Sequence, residues 1–247
     1  MSPAEQLFLW AGVSFVLHAL VANGLQVVQT RAAGRFDRLS DYAALRALAH
    51  VTRVAYFVGP PYLALISGAV SLRLYALADG EGWEGLRVGA APVLAVLIAG
   101  AYSLWWQRWI VSRAGPAAVL PAVSRRAQLS QPWGAAFVLL DTLCLQAHWA
   151  LYRAAAIVFL NDRTLGALGG LGLILLEWLL DPFWRARARQ AGQREDPWLV
   201  CALAALNTSL FIYTGNFWLM LGAHALLWLV WLGLLQVWYR PLSARAA

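Results

Sequence analysis

The sequence predicts an all-α fold, a polytopic transmembrane helical bundle of about seven spans, and three observations predict it. First, the chain of 247 residues is 61% hydrophobic and only 13% charged, with a mean hydropathy of +0.61. A soluble domain is closer to half apolar and a quarter charged. Second, the apolar residues gather into seven runs of helix length. A hydrocarbon core about 30 Å thick needs roughly 20 mostly apolar residues of helix to cross it. Third, the basic residues concentrate in alternate connections between those runs, which is the signature of a chain threaded back and forth through a bilayer.

In chain order the runs are Leu7–Val28, Val54–Leu72, Val88–Trp109, Trp133–Leu160, Thr164–Phe183, Trp198–Tyr213 and Phe217–Trp238. Helices are required because backbone polar groups find no water in the bilayer, and the runs lack the alternation of barrel strands. Thr30–Arg53, Ile110–Pro132 (with Arg108 at its edge), Arg185–Pro197 and the tail after Tyr239 hold 15 of the 19 basic residues, all of them arginine. The other connections, Arg73–Arg87, Asn161–Arg163 and Thr214–Asn216, hold three. The positive-inside rule then predicts a multi-pass cell-membrane protein with its N-terminus outside and its C-terminus cytoplasmic. MSPAEQ lacks a basic n-region, so the first run reads as a retained span. Fourteen Trp and eight Tyr fit amphipathic rings at two interfaces.

Shorter features fill in the frame. Thr30–Arg53 interleaves leucine and alanine with arginine and suits a helix in the cytoplasmic interface or a short solvated one; His50 there reads as a surface residue. Gly59-Pro60-Pro61 predicts a kink or break in the second run, because proline removes a backbone donor and clashes with the preceding turn. Trp105, Trp106 and Trp109 with Arg108 read as an interfacial girdle. Gly166, Gly169, Gly170 and Gly172 permit close helix approach. Cys144 and Cys201 lie in apolar runs, which supports neither a disulfide nor a Cys-rich metal site. The net charge of +7 would suggest nucleic acid in a soluble protein. Placed between apolar runs, it points to anionic lipid headgroups at an Arg-rich cytoplasmic face and away from nucleic acid. No repeat or linker divides the chain, so residues 1–247 read as one integral membrane domain.

The polar residues inside the runs carry the functional reading, because ionisable groups at bilayer depth are costly unless paired. At about 1.5 Å rise per residue, His18, His148 and Glu177 lie roughly 18–20 Å from the outer surface, and Arg153, Asn207 and His224 roughly 9–12 Å. His18 has a plain alternative as a residue hydrogen-bonded to a neighbouring helix. Asn207 has one as helix-to-helix glue, and Arg153 has one as a side chain snorkelling outward. His148, Glu177 and His224 form the candidate site.

The last two runs contain SLFIYTGNFWLMLGAHALLW (Ser209–Trp228), which resembles the closing motif of the CPBP family, a group that includes CAAX-processing and bacteriocin-related intramembrane proteases. That motif has a tyrosine, a Thr-Gly/Ser turn, an apolar stretch, and a histidine followed four residues later by Asn or Asp. His224 matches the histidine, and Trp228 stands at the fourth position. The family's opening motif has two adjacent glutamates, three residues and an arginine. His148-Trp149-Ala150-Leu151-Tyr152-Arg153 matches it in the arginine, the preceding aromatic and the spacing, with His148 and Trp149 where the glutamates belong. The middle motif has no clean match, and Glu177 and Asp181 lie in the corresponding helix.

The resemblance implies a CPBP-like core over residues 133–239, preceded by N-terminal spans in residues 1–132. It leaves three functional expectations. The first is a catalytically degenerate member acting as a membrane interaction or structural protein. The second is an active, divergent intramembrane endopeptidase for a membrane peptide. There Glu177 would be the base, His148 and His224 would be ligands of a divalent metal or electrostatic stabilisers, and Arg153 would orient Glu177. The third is a haem protein, with His148 and His224 or His18 as axial ligands.

Overall fold

The computed structural model describes residues 1–31, 43–77, 82–114, 134–189 and 195–243. Among them are eight helices and no strand: α1 (Pro3–Arg31), α2 (Ala43–Ile66), α3 (Gly82–Ala114), α4 (Gly134–Leu160), α5 (Arg163–Leu180), α6 (Pro182–Arg189), α7 (Glu195–Thr214) and α8 (Phe217–Ser243). Every apolar run of the sequence therefore falls on a helix. In four of them a segment is long and apolar enough to cross a membrane: Pro3–Arg31, Ala136–Leu160, Arg163–Leu180 and Pro197–Thr214. Shorter apolar helical stretches are Val51–Ile66, Arg87–Tyr102 and Phe217–Val230. That composition is compatible with a membrane-embedded protein.

Two boundaries differ from those read in the sequence. The second run ends at Ile66 rather than Leu72. Gly68 takes a left-handed conformation at φ +73°, and the Val70 N–H turns back to the Ala64 carbonyl at 3.2 Å. Glycine accepts that conformation without a Cβ penalty, which is why it stops helices. The Tyr75 hydroxyl then donates to the Pro61 carbonyl at 3.0 Å and pins the returning segment. Burial raises that hydroxyl's pKa above its ordinary value. The fifth run ends at Leu180 rather than Phe183. Asp181 caps it and accepts from the N–H groups of Phe183 at 2.8 Å and Trp184 at 3.2 Å. With Pro182 at the first helical position, Asp181 also starts α6.

The expected interfacial helix over Thr30–Arg53 lies partly outside the described residues. Its end, Ala43–Arg53, is the beginning of α2 and continuous with the apolar stretch. The side chains of His50 and Arg108 also lie outside the described residues. Pro60 and Pro61 sit inside α2 without ending it. Having no N–H, they cannot donate to the carbonyls of Tyr56 and Phe57 one turn earlier. Trp105, Trp106 and Trp109 are all exposed, and Trp106 stacks on Trp109 with centroids 5.0 Å apart.

The chain divides into two compact units, one built from Met1–Ala78 with Cys144–Arg185 and the other from Asp79–Leu143 with Ala186–Ala247. Both draw on residues from either side of position 132. In the first unit α1 packs on α2 and on α5. The second half of α4 joins α5 through Asn161, in a left-handed conformation at φ +50°, and Asp162, whose carboxylate accepts from Leu165 N at 2.6 Å. Asparagine tolerates that region better than most residues, so the chain reverses in two residues and lays the helices antiparallel. Glycine lets them touch. A Cβ on Gly170 would lie 2.7 Å from the Arg153 Cα, and one on Gly166 would overlap Ile157. Gly169 meets only side-chain atoms at 3.2–3.3 Å, and Gly172 meets nothing. Of the four glycines singled out by sequence, two make the close backbone approach.

In the second unit α3 packs on α7, where Gly85 and Gly89 face Tyr213 and Gly100 faces Ala202. Helices α7 and α8 are joined by Gly215, at φ +53°, and Asn216, which caps α8 by accepting from Leu219 N at 3.0 Å.

Candidate functional site

The first unit encloses a polar cluster centred on the Glu177 carboxylate. Glu177 lies near the end of α5, on the face that carries Gly166, Gly170 and Ile174 into the interior. Spacings of three and four residues put these positions on one helix side. The glycine contacts bring α4 close enough for His148 to reach the carboxylate from the facing helix. His148 Nε2 is 2.9 Å from Oε2 and 3.2 Å from Oε1. From α1, His18 Nδ1 comes within 3.1 Å of Oε1. From α2, the Tyr56 hydroxyl is 3.3 Å from Oε1.

An ionised carboxylate only accepts hydrogen bonds, so Nε2–H of His148 and Nδ1–H of His18 donate to it. The Tyr56 hydroxyl has one proton and two acceptors in reach, the other being the Ser14 carbonyl at 3.0 Å. It also receives the Ser14 hydroxyl at 3.4 Å. The Tyr152 hydroxyl is buried beside the same carboxylate and Ser14. Glu177 and His148 are 3% and 2% exposed. A buried carboxylate is costly unless it is paired and hydrogen-bonded, and these contacts supply both.

Aromatic rings wall the imidazoles. The His148 ring lies 4.6 Å from that of Tyr152, 5.1 Å from Phe57 and 5.3 Å from Tyr56, centre to centre. The His18 ring lies 5.6 Å from Tyr56. At the far side of His18, Nε2 faces Asp181 Oδ2 at 3.8 Å. Burial pushes the Asp181 carboxyl up, but His18 and the backbone N–H groups of Trp184 and Phe183 outweigh it and hold the pKa below the ordinary value.

The residues expected from sequence are distributed unevenly. His148 and Glu177 are in direct contact. Arg153 belongs to the same unit, and it does not snorkel: it is 4% exposed, because α5 crosses directly over its backbone at Gly170. His224 belongs to the second unit, where Asn207 donates from Nδ2 to its Nδ1 at 3.3 Å and to the Leu203 carbonyl at 2.7 Å. Both residues are buried.

His18, Tyr56, Tyr152 and Asp181 complete the first cluster; of these the sequence offered only His18, as an alternative axial haem ligand or a residue bonded to a neighbouring helix. For His18 the signal was its depth, which matches that of His148 and Glu177. Tyr56 and Tyr152 carried no such signal, since tyrosines in apolar runs read as interface residues.

Among the described residues no group of three or more His, Cys, Asp or Glu side chains is arranged to hold a metal ion. The imidazole nitrogens that face the centre of the first cluster are spent on a carboxylate, so the donor set is that of an acid–base centre. Such a centre can take up, hold and hand on a proton, provided its groups can exchange with water. No family model, curated protein or solved structure matches the chain.

Proposed function

We propose that the chain is a seven-span membrane protein of CPBP-like architecture, N-terminus outside and C-terminus cytoplasmic, and a divergent hydrolase of membrane-embedded peptides. Glu177 is its general base. The observation that carries this reading is the 2.9 Å contact between Glu177 and His148. His148 stands at the first of the two glutamate positions in the motif that the sequence resembles. The contact sets a carboxylate from α5 beside His148, which supports reading Glu177 as the base that the motif would supply from α4.

In this reading Glu177 removes a proton from water while the oxygen attacks the peptide carbonyl. The proton passes to the departing amine as the C–N bond breaks. His148 and His18 hold the carboxylate in place by donating hydrogen bonds to it. Arg153 and His224 enter only through the resemblance. Anionic headgroups are the proposed partners of the Arg-rich face, to which Arg185, Arg187 and Arg189 of α6 belong.

A second reading is favoured by a different observation. Both Glu177 oxygens already accept hydrogen bonds and the side chain is 3% exposed, which suits a polar pin in a catalytically degenerate membrane interaction protein. One experiment separates the two. The chain in liposomes is incubated with a library of membrane-spanning peptides, and products are read by mass spectrometry. The hydrolase reading expects cleavage by the natural chain and a loss of about 10²–10⁴-fold in Glu177→Gln. Cleavage undiminished in Glu177→Gln, or absent from both proteins, refutes it.

A further inference from the structure

We propose that His18 and Asp181 form a proton relay between Glu177 and the aqueous edge of the first unit. His18 is the only described side chain that bridges the two carboxylates, with Nδ1 at 3.1 Å from Glu177 and Nε2 at 3.8 Å from Asp181. Imidazole suits that position because it can accept a proton on one nitrogen while releasing one from the other. His18 at 19% and Asp181 at 14% are both more exposed than Glu177 at 3%. Asp181 lies outside α5, at the start of the arginine-bearing α6. The 3.8 Å gap is longer than a hydrogen bond, so the two groups approach each other for the proton to pass.

The step balances. Inbound, Asp181 takes a proton from water and passes it to His18 Nε2 while the Nδ1 proton moves to the Glu177 carboxylate. That leaves His18 neutral as its Nε2–H tautomer; outbound, protonated Glu177 returns a proton to Nδ1 as the Nε2 proton leaves through Asp181 to water, which restores the starting tautomer. The remaining titratable groups facing Glu177 are Tyr56 on α2 and His148 and Tyr152 on α4. Their described contacts are with Glu177 and not with Asp181, so they are not on this route. The idea rests on the acid–base reading of Glu177, but its test needs no substrate.

The test uses the full chain in liposomes of phosphatidylcholine and phosphatidylglycerol, followed by time-resolved infrared spectroscopy after a pH jump. The carboxyl band lost in Glu177→Gln reports Glu177. We expect its protonation to slow on the order of a hundredfold in His18→Gln and in Asp181→Asn, with Asp181→Glu restoring the natural rate. Circular dichroism establishes that each variant is folded. If His18→Gln does not fold, the Asp181 pair, at the edge of the unit, carries the test. Unchanged rates in folded Asp181→Asn would overturn the relay, as would slowing that Asp181→Glu does not reverse, or a Glu177 band that never responds to pH. Absence of peptide cleavage would remove the hydrolase reading and leave these rates as they stand.

Discussion

Gly170→Ala should loosen the candidate site from two turns away, and Gly172→Ala should not. A Cβ at residue 170 would stand 2.7 Å from the Arg153 Cα and 2.9 Å from its N, whereas ordinary contact begins at 3.4 Å. Both obstacles are backbone atoms, so α4 and α5 must part by about 0.7 Å, and overpacking of that kind costs about 1–3 kcal/mol. His148 and Glu177 lie on the same two helices. If these part as rigid bodies, the 2.9 Å hydrogen bond lengthens to about 3.6 Å, beyond useful range. A charged hydrogen bond lost this way removes roughly another 1.5–3 kcal/mol. At residue 172 an added Cβ meets nothing, and alanine should gain about 0.5–1 kcal/mol from its lower backbone entropy cost. Thermal unfolding in one detergent, followed by near-ultraviolet circular dichroism of the tryptophans, should separate the two variants by roughly 6–28 °C. Equal midpoints, or a more stable Gly170→Ala, would refute the claim that this crossing sets the helix spacing at the site.

Two further outcomes follow from other contacts. Asn207→Leu removes the donor facing His224 Nδ1 and should cost about 1 kcal/mol, the scale of interhelical hydrogen bonds in membranes; thermal unfolding measures it, and a much larger loss would mean that the pair is more than glue. Asp181→Asn keeps a competent cap but removes the charge. Because the folded pKa of Asp181 is lowered, its charge stabilises above the unfolded value and that contribution fades as pH falls through the folded one. The natural chain should therefore be more stable than Asp181→Asn at neutral pH and converge with it in acid; a stability gap that persists in acid would exclude the charge as the cause.

Depth was the part of the site that the sequence made legible. Rise per residue puts His18, His148 and Glu177 at one depth and Arg153, Asn207 and His224 nearer the outer surface, and those heights read as compatible with one site. The first three converge on one carboxylate in one unit, and Asn207 pairs with His224 in the other. Helical rise fixes height, and costly groups at one height have the strongest reason to meet. Azimuth was not legible, because the runs are apolar on nearly every side and no polar face marks which way a residue points. His224 was grouped with His148 and Glu177 on compatible heights, and its described contact is with Asn207 in the second unit. Run boundaries failed for the opposite reason, since hydropathy continues past Ile66 and Leu180 where Gly68 and Pro182 stop the backbone. Apolar character locates a helix in a chain like this one. The residues that interrupt it, glycine at a close approach and a carboxylate among imidazoles, determine how the helices meet, and so where any chemistry is placed.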